Sequence, residues 1–263
     1  MQTKLNLISE FVKRDEKSRL DSLAYLLGEE NLKQCFGMLK KGKAAGIDGM
    51  SVEEYEKDLE SNLKNLVSRM KAQAYRPQPV RRTYIAKANG KLRPLGIPAV
   101  EDKIVQRGIA RILEAIYEVD FLDFSYGFRS HRSCHQALKR LNQVIMTQPI
   151  NHIIDADIKG FFDSVDHEWL MKFLGVRIGD QNFLRLIKRF LKNGYMEEGK
   201  LHPSEEGTPQ GGVVSPILAN VYLHYALDLW MEKVVKPECR GAVEIVRYAV
   251  TASSDTVEFD FLF

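Results

Sequence analysis

The chain has 263 residues, 44% of them hydrophobic and 28% charged, with a formal net charge of +3. That is enough chain for a sizeable buried core in one large domain or two interleaved subdomains. No run of about 18 apolar residues occurs, which argues against a spanning helix. Cys35, Cys134 and Cys239 are too few and too far apart for a disulfide framework or a metal cluster. The N-terminus has no apolar signal core, so a cytoplasmic protein with reduced thiols and no membrane contact is expected.

Charge is distributed unevenly. Ser61 to Val100 contains no Asp or Glu but nine cations, Lys64, Arg69, Lys71, Arg76, Arg81, Arg82, Lys87, Lys91 and Arg93. Such a stretch makes a local positive field suited to phosphates, although a solvated basic face without a partner has the same composition. From 201 to 263 the balance reverses, with four Lys or Arg against nine Asp or Glu.

Along the chain, Ser51-Val52-Glu53-Glu54 reads as a capping box, followed by Tyr55, Leu59, Leu63, Leu66 and Met70 at helical spacing. That helix should stop before Arg76-Pro77. Val80–Ala86 and Leu92–Ile97 read as two strands joined by a turn at Ala88-Asn89-Gly90-Lys91, an exposed basic hairpin. Val100–Tyr117 is amphipathic, with Ile104, Val105, Ile109, Ile112, Leu113 and Ile116 on its apolar face. His152–Ile158 reads as a short buried strand and Phe183–Leu191 as helix. Ser215-Pro216 looks like an N-cap with proline at the first helical position, opening a helix through Val221, Leu227 and Met231. Ala242–Tyr248 reads as a last strand.

Three segments carry chemistry. Asp157 sits where a strand enters Lys159-Gly160-Phe161-Phe162, with Asp155 on the same strand face and Asp163 just beyond. Magnesium takes oxygen ligands, usually one or two carboxylates plus substrate phosphates, so a cation beside a nucleotide triphosphate fits there. An isolated D-x-D more often marks only a strand end. Pro209-Gln210-Gly211-Gly212 removes side chains before a helix, so backbone can approach a base or sugar, with the Gln210 amide offering donor and acceptor. Lys87 and Arg93 flank the hairpin turn and could clamp a triphosphate.

Taken together and in order, these segments resemble the reverse transcriptases encoded by group II introns, from about Asn31 to Ala249. The resemblance rests on Ala44-Ala45-Gly46-Ile47-Asp48-Gly49, Ile85-Ala86-Lys87-Ala88-Asn89-Gly90-Lys91-Leu92-Arg93-Pro94-Leu95-Gly96-Ile97-Pro98, Tyr126-Gly127-Phe128-Arg129, Asp155-Ala156-Asp157-Ile158-Lys159-Gly160-Phe161-Phe162-Asp163 and Thr208-Pro209-Gln210-Gly211-Gly212-Val213-Val214-Ser215-Pro216. The last is closer to intron-type than to retron enzymes. The resemblance implies an α+β right-hand polymerase, with an antiparallel palm sheet packed against helices and the thumb absent. Fingers would come from 1–96 and 166–210, and palm from 97–165 and 211–263. It implies RNA-directed DNA synthesis with Mg2+, dNTP, a DNA primer and an RNA template, the intron RNA being the expected one. Asp157 and the Ile158 carbonyl match the first metal site, Phe162 the residue under the incoming sugar, Gln210 the nucleotide pocket, and Lys87 and Arg93 the triphosphate grip. Arg81, Arg82, Lys91 and Arg129 are the expected RNA contacts. Oligomeric state is left open.

One segment departs from the pattern. The family places Tyr-Ala-Asp-Asp on a tight hairpin, whereas here Tyr248-Ala249 is followed by Val250-Thr251. Valine cannot ligate magnesium, and Asp255 lies four residues further on, about 13 Å in extended chain. The resemblance ends inside this motif, which fits a frameshift, with a family branch of altered chemistry as the alternative. The chain is therefore expected to be inactive in DNA synthesis. A non-catalytic, maturase-like RNA-binding protein and a decayed mobile-element fragment both remain open.

Overall fold

The computed structural model describes residues 2–15, 17–86, 90, 92–158, 160–208, 211–241, 243–248 and 258–262, apart from the side chains of Asp157 and of 258–262. Helix α1 (Gln2–Arg14) buries Leu5 and Val12, and α2 (Glu29–Gly37) buries Leu32, Cys35 and Phe36. Ser51 caps α3 (Val52–Lys57) with a complete box. The Glu54 N–H donates to the Ser51 hydroxyl at 3.1 Å, and the Ser51 N–H donates to the Glu54 carboxylate at 2.9 Å. The single helix expected through Met70 is in fact two. Asp58 leaves helical geometry at φ −121°, ψ 34°, and α4 (Leu59–Lys71) starts beyond it. The Asn62 side-chain amide bridges the break by donating to the Tyr55 carbonyl at 3.1 Å.

Strands β1 (Val80–Ala86) and β2 (Leu92–Ile97) form the expected hairpin, in register from Arg81↔Ile97 to Ala86↔Leu92. Helix α5 (Val100–Tyr117) buries all six of the apolar residues that its periodicity marked, and α1 and α2 pack along it. Helix α6 (Cys134–Thr147) leads into β3 (Ile153–Asp157), then α7 (His167–Arg177), α8 (Gln181–Leu191), β4 (Tyr195–Glu197), β5 (Lys200–His202) and α9 (Ser215–Leu223). Ser215 is the first helical residue of α9 rather than its cap, with no side-chain cap at Val214. The helix continues through two π turns, 224–228 and 231–235, into α10 (Lys236–Glu238). Strands β6 (Glu244–Tyr248) and β7 (Glu258–Leu262) follow.

The result is an α+β fold with two sheets. One runs β2-β1-β4-β5, and the other, fully antiparallel, runs β3-β7-β6 with α6 packed on β6. β7 therefore lies between β3 and β6, so the Asp157 and Tyr248 strands are second neighbours rather than direct partners. Strand β3 is also not the buried strand expected. It is an edge strand, and because α6 covers β6 instead, Ile153 and Ile154 stay 59% and 46% exposed. No helix among the described residues is long and apolar enough to cross a membrane.

One carboxylate joins the N-terminal segment to α8. Asp180 accepts the N–H groups of Asn182 and Phe183 at 2.9 and 3.1 Å, and those of Leu23 and Ala24 at 2.7 and 2.8 Å. Burial works to raise this carboxyl, but the four N–H bonds prevail and hold it below its ordinary range. Asp180→Ala strands these donors and is expected to cost about 2–4 kcal/mol, read as a lower urea midpoint. Because the folded-state pKa is depressed, the stabilisation is present above the ordinary carboxyl pKa. It is lost as pH falls through the folded value.

Candidate nucleotide and nucleic-acid site

Asp157 ends β3, where its register partner is Glu258, and Glu258 is in turn the partner of Tyr248. The row Asp157–Glu258–Tyr248 thus crosses one end of the sheet. Ile158 follows at the strand end, 37% exposed. Gly160 then turns the chain with φ +66°, a conformation open to glycine, and Phe161–Asp163 make a 3-10 turn. Phe161 is buried in the main core. Phe162 is half-buried and meets Phe128 edge-on at 6.3 Å and 76°, so the Tyr126–Arg129 segment and the Asp157 segment touch through these rings.

The segment before Pro209 is tied to the same turn. Thr208 N–H donates to the Phe162 carbonyl at 2.7 Å, Gly207 N–H to the Val165 carbonyl at 2.8 Å, and His167 Nε2 lies 2.6 Å from the Gly207 carbonyl. Gly207 has φ +80°, and a Cβ there would sit 2.7 Å from the Phe162 oxygen, so no side chain fits. Beyond the loop, Gly211 at φ +93° brings backbone against β2, with a Cβ position only 2.5 Å from the Gly96 oxygen. Gln106, buried on α5, accepts from the Val213 and Val214 N–H groups at 2.7 and 3.4 Å. Backbone on both sides of Gln210 is therefore fixed. Gln210 itself, like Lys87, Lys91, Val250, Thr251 and Asp255, lies outside the described residues.

The hairpin cations behave differently from one another. Arg93 is half-buried, and its Nε and Nη1 have no acceptor. Arg82 lies 3.6 Å over the Tyr195 ring and has an unpartnered buried Nε. Buried donors without acceptors carry a free-energy penalty that an anion would relieve. Arg82 and Tyr195 line a cleft of about 250 Å³ that also reaches Asp163, Glu205, Glu206 and Thr208. Arg81, in contrast, donates Nε and Nη2 to the Ala45 carbonyl at 3.1 and 2.7 Å.

Arg129 does not support the expected role. It is 8% exposed, ion-paired with Glu118 at 2.8 Å, and donates to the Leu122 and Ser125 carbonyls at 2.7 and 2.8 Å. Its guanidinium anchors the connector after α5 and has no outward face for RNA.

Sequence reasoning missed a second buried network. Arg247, fully buried in β6, pairs bidentately with Asp228 at 2.7 and 2.7 Å. It also donates to Ser125 Oγ at 2.5 Å and Asn220 Oδ1 at 3.2 Å, while Asn220 Nδ2 donates to the Gly127 carbonyl at 2.8 Å. These bonds lock β6 to the helix after α9 and to the segment carrying Phe128. A charged residue inside an apolar strand was the available signal.

Asp157 and Ile158 stand at the positions where the resemblance in sequence implies the first metal site. Val250 and Thr251 carry no carboxylate at the two positions where the resemblance implies the others. Among the described residues, no three His, Cys, Asp or Glu side chains gather into a metal site.

Residues 85–249 match the model of the family described as reverse transcriptase (RNA-dependent DNA polymerase). The chain belongs to that family. Among relatives, the group II intron-encoded protein LtrA of Lactococcus lactis subsp. cremoris is 40% identical over 223 residues, covering 82% of this chain and 37% of LtrA. Protein YkfC of Escherichia coli (strain K12) is 39% identical over 188 residues, covering 70% of this chain and 49% of YkfC. This reverse transcriptase domain is thus of group II intron type and spans less than half the length of either relative. A chain in the solved "Partial Cas6-RT-Cas1--Cas2 complex" shares the fold at a TM-score of 0.52 and 20% identity, over 90% of this chain and 37% of that one. The architecture is accordingly that of right-hand polymerase fingers and palm. Members of the family work with divalent metal ions on nucleic-acid templates.

Proposed function

We propose that this reverse transcriptase domain retains the framework for holding nucleic acid but does not copy RNA into DNA. The observation that carries the reading is Val250-Thr251 in place of the two aspartates after Tyr248-Ala249, in a chain whose other motifs stand in order. In the chemistry of the family a primer 3′-hydroxyl, losing its proton, attacks the α-phosphate of a dNTP and pyrophosphate leaves, with Mg2+ held at paired carboxylates. Here Asp157 and the Ile158 carbonyl would provide only part of such a site. Phe162 would sit under the sugar, Gln210 at the base, and Lys87 and Arg93 on the triphosphate. The proposed division places fingers at 1–96 and 166–210 and palm at 97–165 and 211–263. The proposed partners are intron RNA as template, a DNA primer and dNTP, in the cytoplasm. A decayed mobile-element fragment would share the sequence defect but would have no reason to keep RNA affinity.

RNA binding without synthesis is favoured over mere decay by the unpartnered donors of Arg82 and Arg93. RNA affinity of the purified chain should fall steeply between about 50 and 200 mM salt. Arg82→Ala/Arg93→Ala should shallow the slope of log K against log salt by about 1.4, two phosphate contacts at ~0.7 each. Arg81→Ala, whose guanidinium serves the Ala45 carbonyl, should lower Tm more than it changes that slope. A double variant with the parental slope rejects the role assigned to Arg82 and Arg93.

A further inference from the structure

A second cleft, of about 260 Å³, opens between a 3-10 turn at Ala24–Leu26, the end of α4 and α8. None of the hairpin or of the Asp157 sheet lines it. Its floor is apolar, from Val67, Met70 and Leu186, while Tyr25, Lys71 and Arg185 stand among the residues around it. Helix α8 and the residues after it, 181–196, contain no Asp or Glu but carry Arg185, Lys188, Arg189 and Lys192.

The arginines here have an unusual arrangement. Arg76 and Arg189 both donate to the Gln73 and Tyr75 carbonyls, Arg76 at 2.7 and 3.0 Å and Arg189 at 3.2 and 2.9 Å. Arg185 donates to the Gln73 side-chain oxygen at 2.5 Å. Three guanidiniums therefore crowd one short turn, and no carboxylate among the described residues pairs with any of them. Burial, then the nearby charges of Arg76 and Arg185, hold the Arg189 pKa below its ordinary value. Satisfying the Gln73 and Tyr75 carbonyls, in the turn just beyond α4, accounts for Arg76 and Arg189. It does not account for Arg185 and Lys71, which hold neither carbonyl and have no ionic partner among the described residues.

An aromatic ring completes the site. Tyr25 is 60% exposed, with Lys4 Nζ 5.3 Å from its centroid. An exposed ring beside unpaired cations is the combination by which proteins hold unpaired nucleotides, with the ring stacking a base and the cations taking phosphate. The volume is below the range of small-molecule pockets and suits part of a strand passing through rather than an enclosed ligand.

We propose that this cleft is a binding site for unpaired RNA, with Tyr25 stacking a base and Lys71 and Arg185 contacting adjacent phosphates, separate from the hairpin and the Asp157 sheet. It rests on the reading that the domain binds RNA. The test is fluorescence anisotropy of a labelled single-stranded RNA of about ten nucleotides across a salt series, on the full chain. Lys71→Gln/Arg185→Gln should shallow the salt slope by about 1.4. Tyr25→Ala should weaken binding about five-fold or more at every salt while leaving the slope in place. All three side chains are exposed and none of them holds the Gln73 or Tyr75 carbonyl, so Tm should not move.

Parental affinity and slope in these variants would overturn the proposal while leaving the Arg82 and Arg93 reading intact if their double variant loses slope. Absence of RNA binding by the parent chain overturns both. A fully paired RNA competing as well as the single strand also overturns it. So does loss, in these variants, of binding to phosphatidylserine vesicles with RNA affinity unchanged, which would assign the cleft to a membrane surface.

Discussion

Arg247→Met is expected to destabilise the protein by about 3–5 kcal/mol, seen as a large drop in urea midpoint at an unchanged m-value. The loss does not come from the missing attraction alone. Asp228 is fully buried, and burial already raises its carboxyl pKa even with Arg247 beside it. Removing the guanidinium leaves that carboxylate, Ser125 Oγ and Asn220 Oδ1 without their donor. Replacing both partners by apolar residues, Arg247→Met/Asp228→Leu, should recover most of the stability, because no uncompensated charge then remains in the core. A double variant as unstable as the sum of the two single variants would show that the ion pair is not the linkage holding β6. The same network reaches Gly127 and hence Phe128 and Phe162, so the single variant should also loosen the turn below Phe162.

A second large effect is expected in the pH dependence of stability, where two buried groups oppose each other. Burial pushes the Asp102 carboxyl up to about 6, against the hydrogen bond from the Tyr75 hydroxyl and the Gln78 N–H at 2.9 Å. A folded-state pKa above the unfolded value means the folded protein holds the proton more tightly. Its stabilisation is therefore full below about 3.8 and lost as pH rises through 6, by roughly 3 kcal/mol. Burial pushes His224 the other way, down to about 4, in a site where its Nδ1 has no partner. The folded protein resists protonating it, so stability is full above 6.5 and lost as pH falls through 4, again by roughly 3 kcal/mol. Between these limits the two slopes largely cancel in the parent. Asp102→Asn should expose the acid-side loss of His224, and His224→Leu should expose the loss of stability that Asp102 brings as pH rises. Urea melts of the three proteins from pH 4 to 7 test this, and a pair of variants with the same slope as the parent would refute it.

The hairpin and α5 were legible in the sequence because each depends on a local rule. Alternation and a Gly-containing turn set β1 and β2, and a 3.6-residue apolar repeat set α5. The break at Asp58 was not legible. The apolar period runs through it, and the interruption is bridged by the Asn62 side chain on the Tyr55 carbonyl, a contact that the period does not reveal. The exposure of β3 depends on which strand α6 covers, a tertiary choice that the five residues Ile-Ile-Asp-Ala-Asp cannot encode. Charged side chains were the least legible. Arg129 reads as an RNA contact and Arg247 carries no expectation, yet both are buried structural anchors, with carboxylate partners 11 and 19 residues away in sequence. Gln106 was hidden in the same manner, as a polar residue on an apolar helix face whose acceptor serves a loop 107 residues distant. Of the motif segments, those of Phe128 and Phe162 do meet, ring against ring, a contact between residues 34 apart that no local pattern announces.

The chain keeps the motif order of its family but has Val250 and Thr251 where two carboxylates are expected. The most direct measurement gives the purified chain an RNA template, an annealed DNA primer, the four dNTPs and Mg2+, beside an Asp157→Ala variant of the same chain. The parent chain is expected to yield no more extended primer than Asp157→Ala. Extension by the parent chain that Asp157→Ala abolishes would contradict this, because Asp157 would then be acting in a complete metal site despite Val250 and Thr251.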